Sequence, residues 1–224
     1  MDEPQPYDNP TPEQQPDGSS APVPVGDTGQ FTQRVRHQQV SARVPDSVAA
    51  GVYASGSLVL TGPHEFIIDF LQTVTRPHRV AARIVLPPTI MPNVVRALKQ
   101  NLDNYSSRFG PPPELPKPPQ GLKPPSVEEV YEQLKLSDET AAGSYANTVM
   151  ITHSMTEFCM DFITGFYPRS TVAQRIYMAA TQMPRLIETL ARSVEQYQQK
   201  VREAQQRQPR PPEAPGMGGE TRLC

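Results

Sequence analysis

The chain has 224 residues, 27 of them proline and 37% of them apolar, so a good part of it cannot enter a packed core. A net charge of −2 excludes the gross polycationic character of a nucleic-acid or membrane binder. Two cysteines, Cys159 and Cys224, exclude a disulfide framework and fit a reducing, cytoplasmic setting, while no apolar run approaches the ~20 residues of a membrane span.

Residues 1–30 are acidic and rich in proline, with almost no large apolar side chains, and read as a disordered tail. The opening MDEPQPYDNP lacks the basic and hydrophobic parts of a secretory signal. Order is expected to begin between Phe31 and Val40. In VSARV (40–44), Val40, Ala42 and Val44 alternate with polar neighbours, which is strand periodicity.

From Asp46 the chain contains one stretch twice. Residues 46–105 overlay residues 138–197 without gaps at a shift of 92, and 19 of the 60 positions are identical, where ordinary composition gives about 3 to 5. The chain is therefore an internal duplication. Residues 31–110 and 126–207 form the two copies, 111–125 the spacer, and 208–224 a second disordered tail. Residues 52–110 carry six Lys/Arg against three Asp/Glu (+3), and residues 144–202 carry six against four (+2).

Each copy predicts the same elements. EQLKL (132–136) is the counterpart of VSARV and is expected as a strand, although SVEE at 126–129 has the form of a helical capping box and allows one turn before it. DSVAAG and DETAAG predict short helical turns stopped by Gly51 and Gly143. A strand follows over 53–61 and again over 145–153. EFIIDFL then places Phe66, Ile68 and Phe70 inward, and EFCMDFI does the same with Phe158, Met160 and Phe162. RVAARIVL and TVAQRIYM supply the last strands.

Hairpin geometry sets Asp69 opposite Arg83 and Asp161 opposite Arg175 on the outer, polar face, where such structural ion pairs contribute roughly 0.2–1 kcal/mol. Each copy closes with an amphipathic helix. Thr89 and Thr181 are the expected N-caps, Pro92 and Pro184 lie in the first turn, and Gly110 is the stop of the first helix. The spacer GPPPELPKPPQGLKPP is a polyproline II join with P-x-x-P spacings.

No catalytic constellation is present. His37, His64, His78 and His153 lack metal-ligand spacing, and Cys159 stands where the first copy has Ile67, which favours a structural thiol. The carboxylates Glu65 with Asp69, and Glu157 with Asp161, lie beside an arginine and read as ion-pair partners, not an acid–base dyad. The expectation is a protein that is not an enzyme and holds neither cofactor nor metal.

The strings DSVAAGVYAS, EFIIDF, RVAARIVLPP and ALKQNLDNYSSRFG resemble the uncharacterised prokaryotic family termed domain of unknown function 3467. That family's pattern combines Y-[AS]-N, E-F-x-x-D-F, R-[IV]-V and a final helix ending in Y-x-x-x-F-G. The resemblance covers about residues 38–110 and, more weakly, 132–201. The first copy has Ser55 in place of the pattern's asparagine, which the second keeps as Asn147; the second lacks the closing F-G. The resemblance implies no activity.

The expected architecture is α+β: two tandem β-β-β-β-α repeats with antiparallel sheets, each covered by its C-terminal helix, packed together as a pseudo-dimer. The expected role is a non-catalytic protein-interaction or assembly module with a protein partner and self-association between repeats or chains. The alternative is a single-stranded nucleic-acid binder of Pur-α- or PC4-like architecture, with Tyr53, Tyr145 and Tyr177 as candidate stacking residues.

Overall fold

The computed structural model describes residues 42–116, 125–166 and 168–207, together with Val23–Pro24 and Phe31–Thr32. The expected tails, apart from Val23–Pro24, and residues 117–124 of the expected spacer lie outside the described residues. In the N-terminal unit, Met1–Gln39, Val23–Pro24 (β1) and Phe31–Thr32 (β2) pair antiparallel.

The second unit, from Val40 onward, is mixed α+β and holds both copies. The first copy comprises α1 (Asp46–Ala49), β3 (Val52–Ala54), β4 (Gly56–Thr61), β5 (Phe66–Gln72), β6 (Arg79–Leu86) and α2 (Met91–Phe109). The second comprises α3 (Val127–Glu132), α4 (Asp138–Ala141), β7 (Ser144–Tyr145), β8 (Thr148–His153), β9 (Glu157–Thr164), β10 (Thr171–Ala179), a 3-10 turn (Ala180–Gln182) and α5 (Met183–Arg207).

The strands form two four-stranded sheets, ordered β4-β5-β6-β7 and β3-β10-β9-β8. Three antiparallel strands of each sheet belong to one copy, and the fourth is a short parallel strand from the other. Ile84 and Val85 of β6 pair with Ser144 and Tyr145, while Ile176, Tyr177 and Met178 of β10 pair with Val52, Tyr53 and Ala54. The sheets are therefore mixed, not antiparallel as expected, and the copies exchange arms.

The strands expected to be continuous over 53–61 and 145–153 break at Ser55 and at Ala146–Asn147. The break has a polar anchor in each copy. Ser55 N–H donates to Leu71 O at 2.8 Å and Asn147 N–H to Ile163 O at 3.0 Å, pinning the chain to the end of its own sheet just after the arm has paired elsewhere. The Asn147 amide also accepts from Gly165 N–H at 2.7 Å; Ser55 Oγ accepts from Thr73 N–H at 2.9 Å. Ser55 thus does the work of the asparagine it replaces. The preceding residues, Ala54 and Ala146, are fully buried, where a larger side chain has no room.

Among the described residues the expected first strands, of which Val40 and Ser41 lie outside them, are single bridges, Arg43 with Thr171 and Lys135 with Arg79, each again to the other copy. Before Lys135 the capping box prevails. Ser126 Oγ accepts from Glu129 N–H, the Glu129 carboxylate accepts from Ser126 N–H, and the helix they start runs six residues. The order expected for each copy is thus met only in part, as an arm, three long strands and a helix. Thr89 does not cap α2, which begins after Ile90 with no side-chain cap, and a 3-10 turn stands where Thr181 was expected to cap α5. Gly110 ends α2 at φ +84°.

The inward rows close one shared core. Phe66, Ile68, Phe70, Val80, Ala82, Ile84 and Leu86 are buried, as are Phe158, Met160 and Phe162, and the Phe70 and Phe162 rings meet across the copies at 5.6 Å. Helix α2 packs on α5 and on β8 of the other copy, and α5 packs on β4. Tyr105 Oη donates to Met155 O at 2.8 Å and Tyr197 Oη to Pro63 O at 3.1 Å, so each helix is tied to the turn of the other copy's first hairpin.

Gly51 and Gly143 end α1 and α4 at φ +63° and +72°. A Cβ on Gly51 would lie 2.6 Å from the Tyr177 ring and 2.8 Å from Arg175 Cγ; on Gly143 it would lie 3.0 Å from Val85 and 3.1 Å from Arg83. Left-handed backbone alone costs a non-glycine residue roughly 1–2 kcal/mol. In urea denaturation, Gly143→Ala is expected to lose about that much, and Gly51→Ala more, because its tighter contacts add to the backbone term.

Candidate functional site

The densest polar chemistry lies on the outer face of each sheet, under the arm that the other copy contributes. Asp69 stands opposite Arg83 in the β5–β6 register and Asp161 opposite Arg175 in β9–β10. Both pairs are two-pronged: Arg83 Nε and Nη2 each reach Asp69 at 2.8 Å, and Arg175 reaches Asp161 at 2.7 and 2.8 Å. The outer face was expected to leave them in water. Instead Asp69 is 0% exposed and Asp161 4%. The arms and their short helices cover the part of that face that holds the pairs, so the modest worth of a surface pair does not apply.

The third arm of each guanidinium carries the link between copies. Arg83 Nη1 donates to Ala141 O at the end of α4 at 3.3 Å, and Arg175 Nη1 donates to Ala49 O at the end of α1 at 3.2 Å. Each arginine thus holds its own sheet's aspartate with two donors and the other copy's helix end with another. Arginine suits this because its donors lie in a rigid fork. Opposite charge raises both guanidinium pKa values, through the hydrogen bonds to Asp69 and Asp161 first.

Tyr131 breaks the symmetry. Its hydroxyl donates to Asp69 Oδ2 in a short bond and accepts from Arg83 Nη2 at 3.2 Å. The counterpart position at a shift of 92 is Gln39, outside the described residues. Burial first, and the bond to Asp69 next, push the Tyr131 hydroxyl up to about 12. In the second copy the Cys159 thiol lies 3.8 Å from Asp161 Oδ1. Burial and then the Asp161 charge raise its pKa, which disfavours the thiolate. Glu157, the other carboxylate considered for a dyad, bonds Ser154 Oγ at 3.0 Å and the Thr156 hydroxyl in the β8–β9 turn.

The three tyrosines do not form one platform. Tyr53 and Tyr177 are cross-strand neighbours on one sheet, with Tyr177 lying over Gly51. Tyr145 sits on the other sheet and stacks on Phe166, centroids 5.8 Å apart and planes 15° apart. Tyr53 is 44% exposed and Tyr145 41%. Among the described residues no group of His, Cys, Asp and Glu could hold a metal ion, and no helix is long and apolar enough to cross a membrane. The His153 imidazole packs among Tyr105, Phe109 and Phe158.

Two features escaped sequence reasoning. Tyr131 lay in the capping-box helix that was weighed against a strand, so its reach to Asp69 carried no signal. The groove beside Tyr53, about 560 Å³ and lined by Gln72, Arg79, Lys135, Ser137 and Thr140, joins residues of both copies that no local motif connects.

Removing one partner of a buried pair leaves an unpaired charge and costs roughly 3–5 kcal/mol. Asp69→Ala is expected in that range by urea denaturation, with Asp161→Ala smaller because it lacks the tyrosine and is slightly more exposed. The Asp69→Ala/Arg83→Leu double variant should recover part of the loss. Because the Tyr131 pKa is higher in the folded than in the unfolded chain, its contribution is whole below about pH 10 and is lost as pH rises toward 12. Tyr131→Phe should flatten that part of the stability profile relative to the unsubstituted protein.

No curated protein matches the sequence. The family model described as "Protein of unknown function (DUF3467)" matches residues 9–112 and again 116–204, two tandem copies that together take in most of the chain. The chain therefore belongs to the DUF3467 family, in duplicated form.

Proposed function

We propose that the protein is a non-catalytic protein-interaction module, in which the two copies act as the two subunits of an internal dimer and present an apolar row on the outer face of the first sheet. One observation carries this reading. Leu60, Ile67, Val85 and Tyr145 are direct cross-strand neighbours over all four strands β4, β5, β6 and β7. All four are partly or largely exposed. An outer sheet face normally alternates to polar residues, and a contiguous apolar row on it suits a partner surface. The second sheet carries Thr152, Cys159, Tyr177 and Tyr53 in the matching row, so the two faces differ in chemistry.

The charged groups that sequence reasoning weighed for chemistry support a non-catalytic role. Asp69, Arg83, Asp161 and Arg175 satisfy each other and the arms, which leaves them little capacity for a substrate.

The interaction reading is tested with Ile67→Thr and Leu60→Thr, the latter matching Thr152 of the second copy. A photo-activatable side chain at position 85 in cell extract should yield a discrete cross-linked protein that both variants lose, with melting changed by no more than ~1 kcal/mol of stability. Cross-linking indifferent to both substitutions would overturn the reading. The internal-dimer reading is tested by expressing residues 40–112 and 124–207 apart. Each lacks its fourth strand, so each should be unstable or self-associate, and mixing should restore one folded species; two well-folded monomers would contradict it.

A further inference from the structure

The groove where the two arms pass one another has a chemistry that its pseudo-symmetric counterpart lacks. Arg79 and Lys135 face it and are exposed; among the described residues neither forms an ion pair. Arg79 Nε is engaged by Gln72 Oε1 at 2.6 Å, which fixes the guanidinium and leaves its outer nitrogens open. Ser137 Oγ donates to Thr140 Oγ1 at 2.9 Å, so the Thr140 proton is directed elsewhere. Tyr53 lines the same groove with its ring 44% exposed.

At a shift of 92 residues the counterparts of Arg79, Gln72, Ser137 and Thr140 are Thr171, Thr164, Pro45 and Val48, while that of Lys135 is Arg43, which keeps the charge. There the counterpart ring, Tyr145, has Phe166 stacked beside it and is still 41% exposed. On the Tyr53 side the residue equivalent to Phe166 is Val74, which is 71% exposed. The second copy therefore stacks a further ring on Tyr145 from its own side chains, whereas beside Tyr53 a valine stands in that ring's place, and Arg79 of the first copy with Lys135 and Thr140 of the second supply two cations and a hydroxyl donor.

We propose that this groove binds a nucleotide, its base stacked on Tyr53 as Phe166 stacks on Tyr145, and its phosphate held by Arg79, Lys135 and the Thr140 hydroxyl. A guanidinium with free outer nitrogens grips phosphate in two-pronged fashion, and an exposed ring accepts any base face. The volume of about 560 Å³ is enough to accommodate one nucleotide. The nucleotide comes either free or as one unit of a single strand. This site goes beyond the interaction reading and lies apart from the Leu60–Tyr145 row.

The test is isothermal titration of the full chain with adenosine monophosphate, adenosine, inorganic phosphate and a short oligothymidylate. Saturable binding of the monophosphate should weaken by ~10-fold in Tyr53→Ala and by a similar factor in Arg79→Gln. It should persist in Tyr53→Phe, which keeps the ring, in Tyr145→Ala, and in Ile67→Thr, which separates this result from the fate of the interaction face. Binding of the oligonucleotide alone, with the same variant pattern, assigns the site to single strands. Phosphate binding as tight as the monophosphate, equal losses in Tyr145→Ala, indifference to Tyr53→Ala in a variant that melts normally, or no binding of any probe would each overturn the proposal.

Discussion

A partly buried guanidinium beside a buried carboxylate still has donors left over, and in this fold those donors join two copies of one sequence. Desolvating Asp69 and Arg83 is costly, and their mutual attraction offsets it only when the remaining donors also find acceptors. The acceptor supplied is Ala141 O, at the end of a helix with no further turn to use it. Two unmet needs, a spare donor on one copy and an orphan carbonyl on the other, are satisfied together. Arg175 and Ala49 repeat the arrangement in reverse.

Gly51 and Gly143 follow from the same constraint. The arm must turn sharply after its helix and then run flat against the arginine stem, which requires positive φ and the absence of a Cβ. The joined chain also changes the physics of exchange. A spacer of residues 111–125 makes arm exchange intramolecular, so its concentration is set by the chain and not by the solution. That freedom lets the copies diverge wherever the exchange itself is not at stake. Tyr131 on Asp69, with Cys159 in the comparable neighbourhood of Asp161, is one such divergence.

The parts of this architecture legible in the sequence were those encoded within one hairpin. Period-two alternation placed Phe66, Ile68 and Phe70 inward, and hairpin offset set Asp69 across from Arg83, because both depend only on neighbours in sequence. Arm exchange was not legible. Val52–Ala54 pairs in parallel with a strand more than 120 residues away, and parallel pairing over three residues leaves no local periodicity to read. The depth of Asp69 was missed for the same reason: a charged residue on an outward face reads as solvated until the covering element is known. At 126–136 the reciprocal bonds of Ser126 and Glu129 outweighed the alternation of Leu134 and Leu136, a local side-chain effect that an apolar pattern of two residues is too short to oppose.

The positions that stay identical between copies and those that differ divide along the same line. Ala49 and Ala141 accept the arginines; Gly51 and Gly143 make room for them; Phe66 and Phe158 meet Tyr197 and Tyr105; Phe70 meets Phe162. Each of these touches the other copy. Leu58, Leu60, Ile67 and Val85 on the outer face of one sheet correspond to Met150, Thr152, Cys159 and Tyr177 on the other, and none of these four pairs is matched, although Tyr145 and Tyr53 at the ends of the same rows are identical. Exchange constrains both halves alike, since an arginine and its acceptor must fit in either direction. The outward rows bear no such mutual constraint, because neither completes the other. Differences between the two halves therefore lie largely on those rows and in the groove beside Tyr53, while many of the shared residues hold the exchanged frame.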